Sequence, residues 1–183
     1  MDRRLVAEFD NTVDDVLARW RGQRGPDRLF YGASAIGDHG LLWILLAAAR
    51  GLRGRRHWRA AVRAAIGVGL ESLIVNIGIK SLFRRRRPLL VDGFIHPLRL
   101  RTPRTSSFPS GHATSAFTAA TLLSEGDPLG PLYFAAAAVV ATSRIYVKIH
   151  HASDVIVGVG VGLVLGQIGR RLMPLESSSS QKG

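Results

Sequence analysis

AAVRAAIGVGLESLIVNIGI occupies residues 60–79, and KSLFRRRRP follows directly at 80–88. The first stretch carries two formal charges, Arg63 and Glu71, and is long enough for one α-helix to cross a hydrocarbon core of ~30 Å. The second ends it abruptly in four consecutive arginines and a proline. The same alternation runs along the chain. Apolar blocks at 41–49, 113–123, 129–147 and 155–168 are separated by arginine clusters at 50–59, 84–87, 99–104 and 170–171. Cations confined to the connectors describe helices that meet lipid, with basic ends in water. The pattern predicts an all-α integral membrane bundle of about five transmembrane helices, at roughly 29–49, 60–79, 110–124, 129–147 and 154–172.

The 183 residues suit one such bundle, and a 46% hydrophobic content excludes a disordered or collagen-like chain. With no cysteine there is no disulfide, thiolate metal site or cysteine nucleophile. The net charge of +12 would fit a nucleic-acid binder only if the chain were soluble and its cations formed one face. Their position between apolar blocks argues for no nucleic-acid partner. Ahead of the first span, Leu5, Phe9, Val13, Val16, Leu17 and Trp20 recur at helical spacing, with Asp10, Asp14 and Asp15 on other faces. Residues 1–28 thus read as an amphipathic interfacial helix, 29–173 as the membrane domain and 174–183 as a disordered serine-rich tail. Acidic residues before a late first apolar block argue against a cleavable signal peptide. Gly158, Gly162 and Gly166 form a small-residue ladder suited to close helix packing.

Three patches place phosphate ligands or proton carriers at helix ends. Lys80 precedes Arg84, Arg85, Arg86 and Arg87; alone, such a run anchors a helix to anionic lipid. Pro109, Ser110, Gly111 and His112 open the third apolar block, where Ser110 can cap the helix and free backbone N–H groups favour an anion. Ser143, Arg144, His150 and Asp154 form the third patch. Read as a helix, the i,i+4 spacing lets Asp154 accept from one nitrogen of His150 and leaves the other free to attack. Ionisable groups at membrane helix ends are costly and therefore functional candidates. Asp38 and His39, between Gly37 and Gly40, read as a kink or cap in the first span, and Glu71 and Asn76 as interhelical hydrogen-bonding groups.

Together the patches resemble the signature of the type 2 phosphatidic acid phosphatase (PAP2) superfamily. That pattern is Lys, six residues, Arg-Pro; Pro-Ser-Gly-His; and Ser-Arg, five residues, His, three residues, Asp. Lys80 with Arg87-Pro88, Pro109 to His112, and Ser143-Arg144 with His150 and Asp154 match all 11 specified residues. The resemblance implies that His150 is a nucleophile passing through a phosphohistidine, that Asp154 orients it, and that His112 protonates the leaving group. It assigns Lys80, Arg87, Arg144, Ser110 and Gly111 to the phosphoryl oxygens, and implies no metal and no cofactor. Two departures stand out: His151 and Ala152 replace a common aromatic-proline pair, and Lys148 replaces a small or apolar residue. His151, three residues from Asp154, is a rival nucleophile by spacing.

By resemblance to small bacterial members, the expected substrate is a membrane lipid phosphate: a polyprenyl phosphate, diphosphate or prenyl-linked sugar phosphate. Phosphatidate or phosphatidylglycerol phosphate is the alternative. A non-catalytic anionic-lipid binder would use the same cations. The mixed apolar and basic loop at 89–108 suits a lipid headgroup at the interface of a bacterial inner membrane. Lys and Arg number 16 in residues 1–28, 80–108 and 144–148, on the side of the patches, against 9 in 50–63 and 170–183. The positive-inside rule thus favours a cytoplasmic site. Many members of the family act on the outer face, so the side stays open.

Overall fold

The computed structural model describes residues 2–88 and 105–175. The expectations for the loop at 89–104 and the tail at 176–183 lie outside the described residues. Among the described residues the chain is entirely helical: α1 (Arg3–Ala18), α2 (Arg24–Gly37), a 3-10 turn (Asp38–Gly40), α3 (Leu41–Gly51), α4 (Arg55–Leu73), a π-helical segment (Ile74–Ile79), a last turn α5 (Lys80–Leu82), α6 (Gly111–Ser124), α7 (Gly130–Tyr146) and α8 (Ala152–Leu172).

Local chemistry fixes several boundaries. The Asp2 carboxylate accepts from Arg4 N at 2.9 Å and caps α1. α2 begins at Arg24, inside the segment expected to be purely interfacial. The first expected span is broken rather than continuous. α2 and α3 meet at 77°, with Gly40 at φ 70°, a conformation glycine adopts without penalty. The π segment runs directly into Lys80 and changes the phase at which that residue leaves the helix.

Among the described residues two helices are long and apolar enough to cross a bilayer, Arg55–Leu82 and Ala152–Leu172, and the bent pair Arg24–Gly37 with Leu41–Gly51 qualifies as a third if it is one span. α6 and α7, expected as further spans, have 14 and 17 residues. At ~1.5 Å per residue, α6 is shorter than a ~30 Å core.

α6 is the central helix, flanked by α4, α7 and α8. Its buried face is small: Ala113, Ala116, Ala119 and Ala120 are fully enclosed. Ile44, Leu70, Ile77, Leu132, Ile156 and Val164 instead point outwards. Small residues inside and branched aliphatics outside are the arrangement of helices whose backbones pack closely in lipid. The glycines of α8 make this literal. A Cβ added to Gly158 would lie 2.7 Å from Ser110 O, one on Gly162 2.5 Å from Thr114 O, and one on Gly166 2.5 Å from Thr121 Cβ.

The far end of α6 is held by arginines from three neighbouring helices, α3, α4 and α8. Arg50 donates to Leu123 O and Glu125 O, Arg63 to Leu122 O at 2.8 Å, and Arg170 to Thr121 O and Ser124 Oγ. Asp127 gathers Arg50 at 3.2 Å and Arg53 at 2.8 Å. Its carboxyl is itself buried, which would raise its pKa, but these cations and the Leu129 N–H hold it below the usual range. Arginines of α3, α4 and α8 therefore cap this helix terminus. Within the bundle, Ser115 Oγ donates to Glu71 Oε2 at 2.5 Å, the expected interhelical bond. Asn76 differs, bonding within its own helix to Ser72 and Lys80.

Gly162→Ala is expected to lower the unfolding midpoint in detergent, because its methyl meets backbone; overpacking of this kind costs ~1–3 kcal/mol. Gly160→Ala, whose Cβ would meet nothing within 4 Å, should leave the midpoint within a degree or so of wild type on the same thermal scan.

Candidate active site

The N-terminus of α6, the N-terminus of α8 and the end of the Arg55–Leu82 helix converge at one end of the bundle. Ser110 N donates to Asp154 O at 3.0 Å, so the second and third patches are joined through backbone. The Ser110 hydroxyl caps α6 by accepting from Ala113 N at 3.4 Å, and the Phe108–Pro109 peptide before it is cis.

A cavity of about 780 Å³ opens here, with Lys80, Arg87, Gly111, His112 and His150 all in its wall. Ser110, Arg144 and Asp154 are buried behind that wall and do not line it. A Cβ on Gly111 would come within 3.2 Å of Lys80 Nζ, so the bare glycine is what lets the ammonium reach the start of α6. Asn76 Oδ1 accepts from Lys80 Nζ at 3.0 Å and aims it.

His150 does not sit on a helix with Asp154, as the spacing implied. It lies in the turn before α8, where Lys148 adopts φ 54° and both Ile149 N and His150 N donate to Arg144 O. Asp154 belongs to the first turn of α8, and its Oδ2 reaches back to accept from His151 N at 2.9 Å. The same oxygen is 3.8 Å from His150 Nδ1, a close electrostatic contact longer than a hydrogen bond. On the other side of the ring, Arg87 Nη1 lies 3.3 Å from Nε2. A guanidinium can only donate, so Nε2 presents its lone pair and the ring proton belongs on Nδ1, facing Asp154. Burial holds the His150 imidazole down at about 4, with Asp154 pulling upwards and Arg87 and Arg144 pushing down. The ring is neutral at physiological pH. His151, the rival by spacing, turns to Arg86 O at 3.3 Å and is not part of the cavity wall.

His112 faces the cavity from the first turn of α6, its Nε2 2.7 Å from Asp38 Oδ1. Asp38 also lies 3.6 Å from Arg144 Nη1, which donates to Ser34 Oγ. The kink between α2 and α3 thus delivers a carboxylate to the site. The kink was legible; the delivery was missed, although an acid between two glycines in an apolar span was the available signal. Arg87 is fixed by donating to Ile149 O at 2.9 Å, Thr105 O at 3.2 Å and Ser106 O at 3.3 Å. Burial lowers its pKa from a very high ordinary value, and the Asp154 carboxylate opposes the change.

From this end the cavity continues between α3 and α4 past Ala47, Ala48, Ala61, Ala65 and Val68 to Trp58. One end is thus polar and cationic, with two imidazoles, and the rest is an apolar groove along the helices.

The family model described as the PAP2 superfamily matches residues 60–177. The chain is 36% identical over 140 residues to the decaprenylphosphoryl-5-phosphoribose phosphatase of Mycobacterium tuberculosis, covering 75% of each chain. Among solved structures it resembles the PAP2-type phosphatidylglycerolphosphate phosphatase of Bacillus subtilis, with a TM-score of 0.70, 24% identity, and coverage of 92% of this chain and 86% of that one. It also resembles LpxE of Aquifex aeolicus, with a TM-score of 0.69, 27% identity, and coverage of 91% and 95%. Matched over most of its length in sequence and in fold, the chain belongs to the PAP2 superfamily.

Proposed function

We propose that this phosphatase removes a terminal phosphate from a polyprenyl-linked sugar phosphate through a phosphohistidine on His150. The observation that carries the proposal is the His150 Nε2 lone pair beside Arg87, in the wall of a cavity that Lys80 and His112 also line. In this reading Nε2 attacks phosphorus as the phosphoester oxygen leaves, and His112 gives that oxygen a proton. Water, giving a proton to His112, then cleaves the P–N bond and releases inorganic phosphate. Asp154 stabilises the imidazolium character that develops on His150. Lys80, Arg87 and the N–H groups at Gly111 hold the equatorial oxygens, with Arg144 acting from behind. These fixed cations take the place of a metal.

The relative from Mycobacterium tuberculosis supports the substrate class, since its name describes a phosphoribose carried on a decaprenyl phosphate. The groove past Ala48 and Ala61 supports it as well. Small side chains along one track leave room for a single methyl-branched prenyl chain running from the cationic end along the helices. We read α6 and α7 as the third and fourth spans, and α8 as the fifth, of a five-span, multi-pass bundle in a bacterial inner membrane. The cation excess on the side of the site supports a cytoplasmic opening, where such an intermediate would meet the enzyme.

In detergent with excess chelator, phosphate release from a panel of prenyl-linked and glycerolipid phosphates should persist and be fastest for the prenyl-linked sugar phosphate. His150→Ala should abolish it, and His112→Ala and Arg144→Ala should each lower kcat/KM by ~10²–10⁴-fold. Chelator-sensitive turnover, or turnover in His150→Ala, would overturn the reading. The free-enzyme pH profile should fall on its acid side near pH 4, once the substrate's own ionisation is allowed for, because the nucleophile is lost as His150 protonates. Ala48→Phe should raise KM for a long-chain substrate at least several-fold and leave hydrolysis of a short soluble phosphate ester unchanged, as measured by initial rates.

A further inference from the structure

α1 precedes the family match at 60–177, yet its inward face is tied to the turn that carries His150. Asp10 is buried at 5% exposure. Its Oδ1 accepts from Ser153 N at 2.8 Å, and its Oδ2 accepts from Ser153 Oγ at 2.9 Å and Arg85 Nη2 at 2.6 Å. The other arm of Arg85 donates to Ser153 Oγ at 2.8 Å and Asp154 Oδ1 at 2.7 Å. One turn later, Asp14 Oδ2 accepts from Lys148 Nζ at 2.8 Å. Asp14 also pairs with Arg21, whose Nε donates to Tyr146 O at 2.9 Å. Lys148, a departure from the family pattern, is therefore answered by a carboxylate from this chain's own N-terminal helix. Leu5, Phe9, Val16 and Trp20 face away from these contacts and are exposed.

We propose that α1 is a positioning clamp for the nucleophile, in which Asp10 holds Arg85 and Arg85 holds the Asp154 carboxylate in register with His150. The inference rests on the phosphohistidine reading and extends it to residues outside the family signature. Its physical basis is that both oxygens of Asp154 are assigned. Oδ1 is taken by Arg85, leaving Oδ2 to face His151 N and His150 Nδ1. A planar guanidinium with two arms can bridge two carboxylates at fixed angles, whereas an ammonium is a point charge. Arg85 also shares the Asp154 charge, so less of it acts on His150. The other charged groups facing His150 are Arg87 and Arg144. An outer partner of this kind acts by aiming the group that touches the reacting side chain, and its loss typically lowers activity ~10–100-fold.

The test uses the full-length chain in detergent and measures kcat, KM, the pH profile and the unfolding midpoint together. Arg85→Gln should lower kcat ~10–100-fold with KM changed less than about threefold. Its acid limb should move to higher pH, because Asp154 then acts undiluted on His150 and raises its pKa. Arg85→Lys should keep the limb near the wild-type position and recover only part of kcat. Asp10→Ala should lower kcat in the same manner, whereas Asp15→Asn, on the exposed side of α1, should leave it unchanged. The proposal fails if Arg85→Gln and Asp10→Ala retain wild-type kcat. It fails equally if their losses appear only in KM and midpoint, with the acid limb unmoved and Lys no better than Gln. Where Arg85→Gln does not fold, the kcat and KM of Asp10→Ala decide by the same criterion. His150→Ala separates the two levels: an active His150→Ala overturns the functional reading, while an inactive one beside a fully active Arg85→Gln overturns only the clamp.

Discussion

Everything at the cationic end of this protein depends on how closely two backbones can approach. α6 and α8 meet where Gly158, Gly162 and Gly166 leave no side chain between them, and the Ser110–Asp154 backbone hydrogen bond closes the contact at the top. That contact brings two helix N-termini to one place. His112 rides on the first turn of α6, and Asp154 sits in the first turn of α8 beside the turn holding His150. In lipid there is no hydrophobic drive between helices, so fit and backbone proximity must supply the association. A side chain at any of these glycines would collide with α6 or its cap and force the two elements apart.

The helical class and the family were legible because both are local properties. Charge-poor blocks between arginine clusters identify membrane helices, and fixed spacings within 80–88, 109–112 and 143–154 identify the superfamily. What escaped is long-range. Asp38 could be read as interrupting a span, but nothing in the sequence tells which of several distant groups a kinked acid will meet; the 77° bend decides that it meets His112. Arg85 was hidden by its company, since four identical neighbours give no clue that one of them bridges Asp10 and Asp154. The i,i+4 argument placed His150 and Asp154 near one another for the wrong reason, and their 3.8 Å separation is longer than the hydrogen bond it implied. The pair is close because the carboxylate folds back over a helix start, with His150 outside it. Span count is a different matter: the helix expected at 110–124 is met by α6 at Gly111–Ser124, but its 14 residues fall short of a ~30 Å core.

The arginines divide into groups with different tasks. Arg87 touches the imidazole, Arg85 reaches the carboxylate behind it, and Arg144 lies deeper still against Ser34 and Asp38. Arg85, Arg87 and Arg144 each have oxygen partners, and a neutral histidine survives beside them because burial and two guanidinium groups disfavour its protonated form.

α6 also has two unlike ends. At Ser124 its last carbonyls are saturated by Arg50, Arg63 and Arg170, while at Gly111 its first amides are left beside the cavity. Guanidinium groups quench the negative pole of the macrodipole, and a quenched pole no longer offsets the positive one. The helix therefore behaves as a one-sided electrode: an incoming dianion sees the partial charge of its amide tip almost undiminished, tuned from the far end of the helix by side chains it never meets.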